Sequence, residues 1–80
     1  MERIGVLVVS YGAREAAMVD ALARSQKYKV ELYIADKQLN PFNVEKATKH
    51  IVIPNLNIQD ISKFAQSYKD KIDFVLVGSE

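Results

Sequence analysis

Apolar runs and breaking residues alternate along this chain with a regular beat. Between Arg3 and Val9, the residues Ile4, Val6, Leu7, Val8 and Val9 form a β-branched run without polar alternation, the pattern of a strand covered on both faces of a parallel sheet. Ser10–Gly12 interrupts the run. The spacing then predicts a helix over Ala13–Gln26, with Ala17, Met18, Ala21 and Leu22 recurring on one face. Those mostly small residues suit close approach to a sheet. Val30–Ala35 reads as a second strand, with Val30, Leu32 and Ile34 on one face. Asp36–Lys49 is less regular: Asn40-Pro41 is expected to break any continuous element, leaving one helical turn over Val44–Lys49. Ile51–Ile53 predicts a short third strand stopped by Pro54. Asn57 then offers an N-cap, with Asp60 three residues on as a weaker capping box. Ile58, Ile61, Ala65 and Tyr68 keep helical spacing with Phe64 beside them, and Ile72–Val77 predicts a fourth, almost continuously apolar strand before Gly78-Ser79-Glu80.

Strands alternating with helices imply right-handed crossovers and a parallel sheet. The expected architecture is α/β: a small, Rossmann-like three-layer domain whose four-stranded parallel sheet has spatial order 3-2-1-4. The first and fourth strands are then neighbours whose connections leave toward opposite faces. A crevice is therefore expected beyond their carboxyl ends, near Ser10–Arg14 and Gly78–Glu80. A buried strand ending at Val77 leaves the far edge of the sheet uncovered, so residues 1–80 are read as one domain and as a fragment of a longer protein. No internal repeat, low-complexity tract or linker interrupts it.

Composition narrows the function classes. Eighty residues hold at most one small domain, and 49% hydrophobic with 26% charged residues is globular rather than disordered. Eleven Lys+Arg against ten Asp+Glu leave a formal charge of +1, which gives no electrostatic drive toward nucleic acid or an anionic membrane. The absence of cysteine excludes disulfide scaffolds, zinc ribbons and thiol catalysis. No apolar stretch approaches the ~20 residues that span a bilayer. The N-terminus has no signal-peptide pattern, so a cytoplasmic location is expected.

Ser10-Tyr11-Gly12-Ala13-Arg14-Glu15 fills the first strand-to-helix turn, where free N–H groups and the positive end of a helix dipole suit an anion. The dinucleotide fingerprint G-x-G-x-x-G is met at one of its three glycines, Gly12, which serves either a tight turn or close approach to a ligand. Asp36 stands where nicotinamide-dinucleotide enzymes place a ribose-binding acid, but with the other glycines missing a solvated strand-end carboxylate is the stronger reading. Arg14 and Glu80 fall at the mouth of the same crevice: Glu80 could accept from ribose hydroxyls while Arg14 adds donors. The alternative pairs Arg14 with Glu15 or Asp36 and leaves Glu80 a frayed end. His50 has no second histidine or cysteine to complete a metal site and reads as a strand-edge residue. No serine–histidine arrangement, carboxylate dyad or P-loop is present, so no catalytic or metal-ligating residue is assigned.

Three stretches together resemble a known family, the N-terminal domain of glycinamide ribonucleotide synthetase (phosphoribosylamine–glycine ligase), in its archaeal-type form. They are Gly12-Ala13-Arg14-Glu15 after the first strand, Asn40-Pro41 after the second, and Val77-Gly78-Ser79-Glu80 at the end of the fourth. Ser10, Ala16, Phe42 and Ser79 depart from the family's glycine, histidine, glycine and proline, so the role of the family histidine does not carry over. The resemblance implies the pre-ATP-grasp domain of an ATP-grasp ligase of purine biosynthesis. Such an enzyme uses ATP and Mg²⁺, bound by domains absent here, to activate glycine as an acyl phosphate. The amine of phosphoribosylamine then attacks to give glycinamide ribonucleotide. This domain is expected to help hold the ribosyl substrate through Gly12, Ala13, Arg14 and Glu80, with the remaining domains of the same polypeptide as partners, and to be inactive alone. The competing reading is a stand-alone Rossmann-like nucleotide-binding or regulatory module.

Overall fold

The computed structural model describes residues 2–11 and 14–78, the side chains of residues 14–18 excepted. Seven elements follow in chain order: β1 (Glu2–Ser10), α1 (Arg14–Ala23), β2 (Tyr28–Asp36), α2 (Pro41–Lys46), β3 (Lys49–Val52), α3 (Ile58–Ser67) and β4 (Phe74–Val77). All four strands are parallel in the order β3-β2-β1-β4, the topology expected from the alternation. β1 and β2 run in step from Glu2↔Tyr28 to Ser10↔Asp36, whereas β4 meets β1 only from Val6↔Phe74 to Val9↔Val77.

The two central strands are buried without interruption over Val6–Ser10 and Leu32–Asp36, as their unalternating sequence requires. Alternate side chains feed two layers. Leu7, Val9, Tyr33 and Ala35 pack with Ile53, Leu56 and Phe64 on the α3 side. Val6, Val8, Leu32 and Ile34 pack with Val19 of α1 on the other. Tyr68 leans on Tyr33 and Phe64, with ring centroids 5.0 and 5.6 Å apart. Burying a ring such as that of Phe64 contributes about 2–3 kcal/mol.

Local chemistry sets the boundaries. Asn57 caps α3 as its sequence predicts: its Oδ1 accepts from Asp60 N at 2.8 Å, and its Nδ2 donates to Asp60 Oδ2 at 2.9 Å. Asn40-Pro41 does not break the chain as expected but starts α2. Asn40 Oδ1 accepts from the backbone N–H of Phe42 and Asn43 at 3.0 and 3.3 Å. Pro41 sits at the first turn, where its missing N–H would be unbonded in any case. The helix therefore covers Pro41–Lys46 rather than Val44–Lys49. β3 begins at Lys49, ahead of the apolar triplet that marked it.

β4 departs further from expectation. It pairs with β1 on one side only, and Phe74, Val75 and Val77 are 59%, 56% and 64% exposed. Its entry is nevertheless tightly fixed. Gly5 N donates to Asp73 Oδ2 at 2.9 Å, Asp73 N donates to Gly5 O at 2.8 Å, and a Cβ on Gly5 would stand 1.7 Å from the Lys71 carbonyl oxygen. Among the described residues no helix is long and apolar enough to cross a membrane.

Candidate functional site

β1 leads into α1 on one face of the sheet and α3 leads into β4 from the other, so the neighbouring strands β1 and β4 part their connections in opposite directions. In open α/β sheets this is where a ligand crevice forms, beyond the carboxyl ends of the strands. Gly78 N donates to Val9 O at 2.8 Å, which carries the β1–β4 pairing up to that edge. Ser10 is fully buried, and Tyr11 rests half-buried on the α3-side core. Gly12, Ala13 and Glu80 lie outside the described residues. Arg14 opens α1, with its side chain likewise outside them. The structure thus gives the frame of the predicted crevice: the end of β1, the start of α1 and the end of β4.

Beside that frame is a polar cluster that sequence reasoning missed. Asp36, at the last position of β2, is 2% exposed, and Asn43 of α2 is fully buried. Asn43 Nδ2 donates to both carboxylate oxygens of Asp36, at 3.3 and 3.2 Å. His50 Nε2 lies 2.6 Å from Asp36 Oδ2, and the imidazole is 10% exposed. The backbone closes the arrangement: Ile53 N donates to Asp36 O at 2.8 Å, and Lys37 N donates to Ser10 O at 3.1 Å. A carboxylate this deep would be costly if unpaired, and two side chains from α2 and β3 compensate it. One atom is left out, because Asn43 Oδ1 is buried without a hydrogen-bond partner.

Two expectations are corrected here. Asp36 is not solvated, because the buried run of β2 continues to its last residue. Nor is it free for a ribose, since both its oxygens are engaged within the domain. His50 lies on an edge strand as read, but its ring turns inward to Asp36 because β3 pairs Ile34↔His50, on the sheet face that carries Ile34 and Asp36. The continuous apolar character of β2 up to Ala35 was the available signal, had it been extended by one residue.

The opposite edge carries a second network, remote from the crevice. Arg3 Nε pairs with Glu31, and Arg3 Nη2 reaches Tyr33 Oη at 3.4 Å and the Lys71 carbonyl at 2.8 Å. The hydrogen bond from Arg3 holds the Glu31 carboxyl below the usual carboxylate range. The Arg3 guanidinium is raised in turn, first by Tyr33 and then by Glu31. An apolar groove of about 610 Å³ runs between α1 and β4, walled by Ile4, Val6, Leu22, Tyr28, Val30 and Leu76. Among the described residues its lining has no carboxylate, amine or imidazole, and it lies on the sheet face rather than at its carboxyl edge.

Comparison with known proteins adds two findings. The family described as "Phosphoribosylglycinamide synthetase, N domain" matches residues 4–80. The phosphoribosylamine–glycine ligase of Methanocella arvoryzae is 33% identical over 75 residues, which cover 94% of this chain and 17% of that protein. The chain therefore spans less than a fifth of the length of that relative. No solved structure matches it significantly.

Proposed function

We propose, from the premise that this chain belongs to the phosphoribosylglycinamide synthetase N-domain family, that it is the ribosyl-substrate-binding domain of a phosphoribosylamine–glycine ligase of purine biosynthesis. The reaction joins glycine to 5-phosphoribosylamine at the expense of ATP and yields glycinamide ribonucleotide, ADP and phosphate. The family match over residues 4–80 is the observation that carries this reading. The parting of β1 and β4 supports it physically, because the motif residues follow the two strands whose carboxyl ends flank the crevice. In this reading Gly12 and Ala13 let backbone approach the ligand, Arg14 supplies donors, and Glu80 accepts from ribose hydroxyls. ATP and Mg²⁺ bind other domains of the same polypeptide. The chain alone is read as inactive.

The decisive experiment is Glu80→Ala in the full-length ligase. Loss of charge-assisted hydrogen bonds worth about 2–3 kcal/mol should lower kcat/KM for phosphoribosylamine by roughly 30–150-fold, with KM for glycine and ATP unmoved. Unchanged kinetics would remove Glu80 from the site. A parent protein that turns over neither amine nor glycine would overturn the ligase assignment itself.

A further inference from the structure

We propose that His50, acting through Asp36 and Asn43, is a positioning residue: it fastens α2 against the carboxyl edge of the sheet and so sets the wall of the crevice in which the ribosyl substrate binds. The proposal rests on the ligase reading above and adds to it a device that touches no substrate.

Three segments meet at one carboxylate. Asp36 ends β2, Asn43 belongs to α2, and His50 belongs to β3, and the bonds among their side chains are 2.6–3.3 Å long. Asp36 is the register partner of Ser10, the last residue of β1 before the turn into α1. α2 also packs directly on α1, the helix that Arg14 opens. A shift of α2 is therefore felt by the helix that begins at the crevice, through packed elements rather than through a mobile loop.

The chemistry of the cluster argues that it is kept for geometry. The same sheet face continues Val8 and Ile34, so aliphatic residues at positions 36, 43 and 50 would extend an existing apolar layer. Replacing a buried polar set by apolar residues of similar volume is often neutral or stabilising. The arrangement instead buries a carboxylate and leaves Asn43 Oδ1 without a partner, a loss that apolar residues would avoid. What the polar set provides, and an aliphatic layer does not, is direction: a carboxylate gripped by an amide and an imidazole admits one placement of α2.

The test uses the full-length ligase with His50→Leu, which cannot bond Asp36, and His50→Gln, which keeps a donor. His50→Leu should raise KM for phosphoribosylamine about tenfold, with kcat and the KM values for glycine and ATP held within about twofold. His50→Gln should recover most of the loss. Hydrogen exchange gives a readout independent of turnover. The amides of Val44 and Ala47, bonded to Asn40 O and Asn43 O at 2.9 Å, should exchange about tenfold faster in His50→Leu, while that of Asp73 is unchanged. Unaltered exchange in α2 would overturn the fastening. Faster exchange with unaltered KM would overturn its link to substrate, and parallel change in all three KM values, or in the Asp73 amide, would mark a general loss of structure. An inactive parent would fail the ligase reading and this proposal's substrate link with it, while the exchange measurement would still decide the fastening.

Discussion

Gly5 shows how little a residue's own chemistry reveals of its task. In sequence it is a small residue inside a strand. In the structure its missing side chain makes room for the Lys71 carbonyl, which would stand 1.7 Å from a Cβ. The obstruction is backbone, so it cannot swing aside. Gly5→Ala should push the α3–β4 connection outward and break the paired bonds with Asp73, costing about 2–4 kcal/mol. Denaturant unfolding would read this as a lower midpoint with unchanged slope. Neither Gly5 nor the Asp36–His50 pair could be found from spacing, because each contact depends on strand register. His50 meets Asp36 only because β3 starts at Lys49, before the apolar triplet beginning at Ile51 that marks the strand in sequence. Asn43 is equally hidden, since it sits in a helix whose Asn-Pro start reads in sequence as a break.

Among the elements, legibility followed the strength of the local signal. β1, β2 and α3 were readable because unbroken apolar runs and a good cap leave few alternatives. Asn57→Ala should cost about 1 kcal/mol by removing the bond to Asp60 N, seen as a fall in melting temperature of several degrees. The sequence leaves the start of α2 ambiguous because Asn-Pro serves equally to end one element and to begin another. What decides between them is whether the asparagine side chain folds back onto the next N–H groups, and here it does. The apolar run of β4 predicts a buried strand, and the strand is there but exposed: such a run marks covering on both faces only where helices flank it, and the run itself is silent on that.

For the molecule as a whole, strand order was the most predictable property and the polar networks at its two edges the least. The network at the amino edge has a consequence in acid. The Glu31 carboxyl is held low by Arg3, so its contribution to stability is present above the ordinary carboxylate range and is lost as the pH falls through its depressed value. Arg3 stays protonated throughout that window and adds no slope. Glu31→Gln should therefore flatten the decline in stability between about pH 5 and pH 3 relative to the parent, by a small amount because the pair is partly exposed and screened. Titration of the unfolding midpoint against pH measures it. The placement of β1 has a consequence in time. It precedes the other three described strands, yet one of its partners stands 68 residues away, at the Gly5–Asp73 bond that introduces β4. At roughly 5–20 residues per second, a ribosome delivers that partner about 3–14 s after β1 itself. For the later part of that interval, once Tyr28–Asp36 has followed, the newborn strand has β2 on one flank and still awaits β4 on the other. The carboxyl-edge frame formed by the ends of β1 and β4 is thus complete only once β4 has been made.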